Sequence, residues 1–147
     1  MSQQNVEIVR LMWAGLERDA GMPWPPDGPD ELDRRLRLDL CDQRIEIRNP
    51  PEFPVGTVFH GHDGVRQWGV EIWEVFDGLH NELVELIEAG DGETVISVQR
   101  TQARMRYTGL EVDLPWAVVW TIQDGKVMRA VGYMSRTQAL EAAGLSE

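Results

Sequence analysis

Cysteine is almost absent from this 147-residue sequence. The single thiol, Cys41, cannot form an internal disulfide, and a reducing compartment would keep it free. No segment approaches the roughly 18 consecutive apolar residues that a transmembrane helix needs, and the first residues lack the basic and apolar regions of a signal peptide. We therefore expect a cytoplasmic protein with no membrane partner, in which Cys41 is a small buried residue at a helix end.

Basic residues are also scarce. The chain has 14 Lys and Arg against 25 Asp and Glu, which gives a formal net charge of −11. Such a charge repels nucleic acid phosphates and anionic lipids, so we expect no nucleic acid partner. The length and the 42% hydrophobic content are typical of one globular domain, which we expect to span residues 1–147.

Apolar residues at helical spacing predict three helices in the first half of the chain. The first runs from about Ser2 to Ala20, the second from an Asp30 cap to near Cys41, and the third from His62 or Asp63 to near Gly78. Their apolar positions are, respectively, Val6, Val9, Met12, Trp13 and Leu16; Leu32, Leu36 and Leu40; and Val65, Trp68, Ile72, Val75, Phe76 and Leu79.

Alternating side chains predict strands in the rest of the chain. One strand covers 44–49, a loop follows to Gly61, and four sequential antiparallel strands lie between His80 and Met134, with turns at 90–92, 108–109 and 124–125. In the third of these four strands the even residues from Leu110 to Ile122 are expected to face inward, and Pro115 indicates a bulge or a sheet edge. A Ser135 capping box and a Gly144-Leu145 stop predict a short last helix.

This order of elements resembles the nuclear transport factor 2-like superfamily, and within it the SnoaL-like polyketide cyclases. The resemblance rests on the first helix, on the 59–65 segment FHGHDGV and on the 119–127 hairpin VWTIQDGKV. It implies an α+β, cystatin-like fold: a cone-shaped, curved antiparallel sheet whose concave side is closed by the three helices to leave a pocket, with a short C-terminal helix. It also implies a homodimer formed through the convex face.

The catalytic groups of similar enzymes are missing at the matching positions. Ketosteroid isomerase-like enzymes carry an aspartate base before a proline, where this chain has Asn49, and a tyrosine on the first helix, which here offers only Trp13. Limonene epoxide hydrolase has carboxylates where this chain has Gln102 and Gly132, and SnoaL cyclases use the Gly132 position. We expect neither steroid isomerase nor limonene-type hydrolase activity, and the catalytic residues stay unassigned.

The resemblance and the strand periodicity together predict the residues of a ligand pocket. On one strand, Ile96, Val98, Arg100 and Gln102 begin apolar and become polar, which makes Arg100 the predicted polar anchor; the alternative is an outward arginine in a surface or dimer ion pair. The full candidate set is Arg100, Gln102, Asn49, Trp13, Trp68, Ile45, Ile47, Leu114, Trp116, Val118 and Met134.

Two histidines, in His60-x-His62 followed by Asp63, have a spacing that also occurs in metal sites, but helix capping and surface exposure are the preferred interpretations. We expect no metal and no cofactor. The first functional hypothesis is a protein that binds a small, hydrophobic, oxygenated molecule; the alternatives are a noncatalytic dimeric interaction module and a divergent isomerase, hydrolase or cyclase with an unrecognised base. A cavity filled by Trp68, Trp116 and Met134 would favour the interaction module.

Overall fold

The computed structural model describes residues 2–18, 21 and 29–145. Over these described residues an α+β fold is confirmed, with four α-helices and a curved, unclosed sheet of six strands. In chain order its elements are α1 (Ser2–Ala14), α2 (Pro29–Arg35), β1 (Cys41–Arg48), β2 (Val58–His60), α3 (Gly61–Val75), β3 (Phe76–Glu88), β4 (Thr94–Met105), β5 (Glu111–Gln123), β6 (Lys126–Tyr133) and α4 (Arg136–Ala142). Among the described helices, none is long and apolar enough to cross a membrane.

The strands follow the order β2-β1-β6-β5-β4-β3. All neighbours pair antiparallel except β1 and β6, which pair parallel, so the expectation of a purely antiparallel sheet is wrong at this one pairing. Irregularities in the β3–β4 register, at Phe76/Leu79 and at Leu83/Glu85, add local twist to the sheet. The concave face packs against α1 and α3 in one large apolar core.

Tertiary pairing ends the first helix earlier than its periodicity predicts. α1 stops at Ala14, and the backbone of Arg18 instead exchanges two hydrogen bonds with Leu79 of β3, at 3.0 and 2.9 Å. The predicted helix end at Ala20 lies outside the described residues. After α1 the chain therefore pairs with β3 at the edge of the sheet.

The second helix is also shorter than predicted. α2 ends at Arg35, Arg37 adopts a left-handed conformation with φ of 53°, and a 3-10 turn at 38–40 leads into β1. Cys41 is the first residue of β1 and also the C-cap of this 3-10 turn, so it lies at the end of that short helix and not at the end of a longer α2. Its burial is confirmed, and burial raises the pKa of the thiol to about 12, which keeps it protonated and unreactive.

Two strand boundaries differ from the sequence prediction. The segment predicted as a loop before Gly61 contains the short strand β2, which forms an edge of the sheet beside β1. Phe76 and Leu79 do not extend α3 but begin β3, where both are buried. The helix-like spacing of apolar residues continues across the junction between α3 and β3. It does so because both elements bury the same side of the chain.

Two arginines close the C-terminal end of α3. Arg106 donates to the carbonyl oxygens of Trp73 at 2.8 Å and Phe76 at 3.1 Å, and Arg18 donates to the same two oxygens. Desolvation, followed by the nearby charge of Arg106, lowers the pKa of Arg18 to about 10. These cations donate hydrogen bonds to carbonyl groups that have no partner within the helix, at its negative end.

The last helix forms as predicted and covers part of the outer, convex face. Ser135 Oγ accepts the Gln138 backbone N–H at 3.1 Å, and the Leu145 N–H reaches back to the Leu140 carbonyl at 2.8 Å to end the helix. α4 then packs on the outer face in a second apolar cluster, formed by Ile96, Ala117, Ala139 and Leu140. This helix buries sheet positions that would otherwise face solvent.

Pro115 occupies an edge position, one of the two predicted alternatives. The β4–β5 register passes through it without a shift, opposite Arg100, whereas pairing of β5 with β6 begins only at Ala117. The missing N–H of the proline therefore removes no ladder hydrogen bond on the β6 side.

One serine joins α1 to the sheet. Ser97 of β4, fully buried, accepts hydrogen bonds from the indole N–H of Trp13 in α1 at 3.2 Å and from that of Trp120 in β5 at 2.9 Å. An indole N–H can only donate, so each buried tryptophan needs an acceptor. Ser97 supplies one oxygen for two rings.

Replacing this hydroxyl should destabilise the whole fold. We expect Ser97→Ala to lower the free energy of unfolding by about 2–4 kcal/mol, because two buried N–H donors lose their acceptor. Urea unfolding followed by circular dichroism measures this. The control Thr137→Ala removes an exposed hydroxyl and should change stability by less than about 0.5 kcal/mol. Equal effects of the two substitutions would contradict the assignment.

Candidate functional site

A cavity lies between α1, α3 and the concave face of the sheet. It has an inner compartment of about 50 Å³ and an outer compartment of about 230 Å³. The outer volume approaches the lower end of the roughly 300–1,000 Å³ that small-molecule sites span. Both compartments share Trp13, Leu16, Asn49, Trp68 and Trp116. The two volumes therefore adjoin along a wall made mainly of indole rings.

The aromatic rings of this wall meet edge to face. Trp13 lies between Trp116, at a centroid distance of 5.6 Å and an angle of 88°, and Trp120, at 5.9 Å and 82°. Phe53, from the loop after β1, meets the other side of Trp116 at 4.7 Å. This is the geometry that aromatic quadrupoles favour, and it holds the rings apart instead of stacked.

Each of four indole N–H groups along this wall has an acceptor from the protein. Trp13 and Trp120 share Ser97, whereas Trp116 donates to Thr101 Oγ1 at 2.7 Å and Trp68 donates to Asn49 Oδ1 at 3.2 Å. The indole N–H groups are therefore hydrogen-bonded within the protein, and the rings present mostly apolar surface to the cavity.

Asn49, at the end of β1, is hydrogen-bonded to the rest of the protein through both its side chain and its backbone. Besides accepting from Trp68, its Nδ2 donates to the Gly56 carbonyl at 2.8 Å, and its backbone N–H donates to the Thr57 carbonyl at 2.8 Å. These bonds close the 50–57 loop, which supplies Glu52, Phe53 and Pro54 to the outer compartment. The residue at the position of the isomerase base therefore fixes the rim of the cavity.

Thr101 and Asn81 form the polar side of the outer compartment. Thr101 of β4 donates its hydroxyl to Asn81 Oδ1 of β3 at 2.6 Å, and both residues line the cavity. Gln99, two residues earlier on the same face of β4, is completely buried, and neither of its amide atoms has a hydrogen-bond partner among the described residues. It does not line either compartment.

Nine of the eleven residues predicted for the pocket line this cavity. The structure brings together Asn49, Trp13, Trp68, Ile45, Ile47, Leu114, Trp116, Val118 and Met134. Their arrangement follows from alternation on β1 and β5, whose inward residues face the same side of the sheet as α1 and α3.

Arg100 and Gln102 are on the opposite face, so the prediction of Arg100 as the polar anchor is wrong. Both are exposed, and Arg100 forms a two-point ion pair with Asp113 of β5, at 2.6 and 2.9 Å. Hydrogen bonding to Arg100 holds the pKa of Asp113 below its usual value. The apolar start of this set, Ile96 and Val98, packs beneath α4 instead of entering the cavity.

Asn81, Thr101 and Phe53 also line the outer compartment, although they are not among the predicted pocket residues. On β4 the inward set is Val95, Ser97, Gln99, Thr101 and Ala103, which carries neutral polar groups but no charge. The outward set carries Arg100 and Arg104. Neutral hydrogen-bonding side chains are buried more readily than arginines, and this preference could have identified the inward face of β4.

Ionisable groups are few in the cavity wall. Among the described residues that line it, Glu52 carries the only carboxylate and Arg48 the only guanidinium, and both side chains belong to exposed residues. The arrangement can bind and desolvate an apolar molecule, but it places no buried carboxylate beside that molecule.

The two neighbouring histidines lie away from the cavity, at the start of α3. His60 is exposed and precedes the helix without forming a side-chain cap, while His62 Nε2 lies 2.9 Å from the Cys41 carbonyl oxygen. Within the described parts of the chain, no cluster of three metal-binding side chains is found.

Gly132 leaves no space for the carboxylate that similar cyclases carry there. A Cβ at this position would lie 2.8 Å from Pro50 Cδ and 2.9 Å from Trp116 Cζ3. Neither neighbour moves easily, since Pro50 is a buried ring and Trp116 is held by Thr101 and two aromatic contacts. The indole of Trp116 occupies the volume that a side chain on β6 would need.

Overpacking at this position should therefore be costly. We expect Gly132→Ala to lower the free energy of unfolding by about 1–3 kcal/mol. Trp116→Phe removes the Cζ3 contact, so in a double-mutant cycle the pair should be less destabilising than the sum of the single changes. Denaturant unfolding of the three variants measures the coupling. Strict additivity would contradict the close packing of Gly132 against the indole.

Comparisons with solved structures agree with this architecture. A nuclear transport factor 2-like protein from Burkholderia thailandensis is 25% identical, with a TM-score of 0.68 over 96% of this chain and 97% of its own. A protein assigned as a SnoaL-like polyketide cyclase from Jannaschia is 18% identical, with a TM-score of 0.68 over 99% and 94%. TerC, co-crystallised with polyporic acid, is 19% identical, with a TM-score of 0.68 over 96% and 98%.

Sequence comparisons give the family. A search of curated proteins returns no match. The family model of the SnoaL-like domain, in contrast, matches residues 30–130, which include α2, α3 and the sheet up to the middle of β6. Because this match extends over well more than half of the sequence, the chain belongs to the SnoaL-like domain family of the nuclear transport factor 2-like superfamily.

Proposed function

We propose that this protein binds a small, hydrophobic, oxygen-bearing molecule in the outer compartment of the cavity. The observation that carries the proposal is an apolar space of about 230 Å³ bounded by aromatic rings whose N–H groups are already paired. Water gains few hydrogen bonds in such a space, so an apolar molecule can displace it with a net gain in free energy. The relative TerC was co-crystallised with an organic compound, polyporic acid, which agrees with such a site in this fold.

The same cavity argues against the interaction module. Trp68, Trp116 and Met134, which would have to fill the space for that alternative, line the outer compartment and leave it open. Trp68 is tied to Asn49 and Trp116 to Thr101, so neither ring is free to rotate into the space without losing a hydrogen bond. These ties support a preformed site for a ligand.

The side chains support ligand binding without a general base. Asn49 and Gly132 stand where similar enzymes carry carboxylates, and Gln102 points to the outer face. A general base requires a proton acceptor within hydrogen-bond reach of the reacting atom. Among the described residues that line the cavity, Glu52 at the rim carries the carboxylate on which a divergent enzymatic reaction could depend.

A ligand should co-purify with the protein. We expect native mass spectrometry of freshly purified protein to show a bound species, and denaturing extraction to release a molecule of low polarity. Leu114→Trp should abolish the bound species, because the larger ring fills the outer compartment. Leu110→Trp is the matched control: this residue precedes β5, is 64% exposed and should leave binding intact. Ligand-free protein in every preparation would contradict the proposal.

We also propose a homodimer, as the resemblance to the superfamily implies. α4 covers part of the outer face, and the uncovered part includes the charged side chains of Arg100, Arg104 and Asp113. Multi-angle light scattering at micromolar concentration should give twice the monomer mass of 16.7 kDa. An observed mass equal to that of one chain would reject the dimer and leave ligand binding unaffected.

A further inference from the structure

The inner compartment of the cavity is small and is surrounded by core residues. Its volume is about 50 Å³, and the residues that line it but not the outer compartment include Leu36, Ile45, Val65, Val118 and Ala130, all buried and apolar. An engineered apolar cavity of about 150 Å³ binds benzene. The inner compartment is therefore too small for a ring, but it has room for a group of about one or two carbons.

The polar side chains around the inner compartment already have partners within the protein. The indole N–H groups of Trp13 and Trp120 both donate to Ser97. The Asn49 side chain accepts at one end and donates at the other, and the exposed Arg48 forms an ion pair on the surface. Water in this space gains few hydrogen bonds, so an apolar group is its favourable occupant.

Five residues form the boundary between the two compartments, since each of them lines both. Trp13 and Leu16 belong to α1, Trp68 to α3, Asn49 follows β1, and Trp116 belongs to β5. The hydrogen bonds of Trp68 and Trp116 hold both rings in place. A ligand in the outer compartment therefore lies directly against the inner one, and its nearest group can extend there.

We infer that the inner compartment is a subsite for a one- or two-carbon alkyl branch of the ligand, and that the ligand's oxygen lies on the side away from this branch. The inference rests on the proposed binding function and adds the shape of the ligand. The outer compartment, at about 230 Å³, takes the ring-sized body. An oxygen in the inner compartment would lose its hydration without gaining a hydrogen bond, which is unfavourable.

A series of phenols tests the inference, because its members keep the oxygen and vary the alkyl branch on the opposite side of the ring. The probes are phenol, 4-methylphenol, 4-ethylphenol and 4-tert-butylphenol. We expect the affinity to rise about three- to fourfold with each carbon up to 4-ethylphenol, the gain that burial of one CH₂ group provides. The wider branch of 4-tert-butylphenol exceeds the inner compartment, so this probe should bind no more tightly than 4-ethylphenol. Nuclear magnetic resonance titration of protein with ¹³C-labelled alanine and methionine methyl groups measures these affinities.

Filling the inner compartment should remove this dependence on the branch. Ala130 lines only the inner of the two compartments, and Ala130→Val adds as many carbons as an ethyl group has. We expect this variant to bind phenol within about twofold of wild type and to lose the increase from phenol to 4-ethylphenol. The matched control is Ala142→Val, which should keep the increase because Ala142 is exposed on α4 and lines neither compartment.

The labelled methyl groups also report where each part of the probe lies. Of the two compartments, Ala130 and Met12 line only the inner one, whereas Met105 and Met134 line only the outer one. Nuclear Overhauser effects from the ethyl protons of 4-ethylphenol should therefore reach the methyl groups of Ala130 and Met12. Those from its ring protons should reach Met105 and Met134.

The outcomes separate this inference from the function on which it rests. Ethyl contacts confined to Met105 and Met134, or an equal increase in affinity for Ala130→Val and wild type, would overturn the subsite and leave binding in the outer compartment in place. Absence of binding by all four phenols at millimolar concentrations would overturn both proposals. If Ala130→Val does not fold, the Overhauser contacts in the wild-type protein decide alone.

Discussion

Two hydroxyl groups on β4, those of Ser97 and Thr101, accept the N–H groups of three tryptophans. Burial of an indole is less costly when its single donor is paired, and this preference restricts where each of the three rings can lie. Because Ser97 and Thr101 are four residues apart on one face of the strand, they hold the rings edge to face. The rings then cannot collapse into the concave side, and the cavity stays open.

The same packing leaves no room for a side chain on β6 at Gly132. The benzene ring of Trp116 lies against Gly132, at the position that carries a carboxylate in similar cyclases. Any side chain at Gly132 would push against that ring and against Pro50. The absence of a carboxylate at this position is therefore coupled to the presence of the tryptophan, and placing one there would require changing the wall as well.

Most of the fold and most of the cavity wall could be predicted from the sequence, but the alternation of apolar residues did not identify the inward face of β4. Alternation on β5 and the turns at 108–109 and 124–125 identify their elements because only one side of those strands is strongly apolar. On β4, Ile96 and Val98 look like core residues, and they are, but in the second core under α4. A strand buried on both faces loses the alternation that distinguishes inside from outside, so Arg100 was assigned to the wrong side.

Two asparagines in the cavity show how one side-chain type takes different roles. At Asn49 the oxygen accepts from Trp68 and the NH₂ group donates to Gly56, so the amide closes the loop at the rim. An aspartate there would lack the donor and would set a carboxylate oxygen against the Gly56 carbonyl. A base at position 49 and this loop geometry are therefore mutually exclusive. At Asn81 the oxygen accepts from Thr101, whereas Nδ2 is buried without a hydrogen-bond partner among the described residues, so this amide joins β3 to β4 and closes no loop.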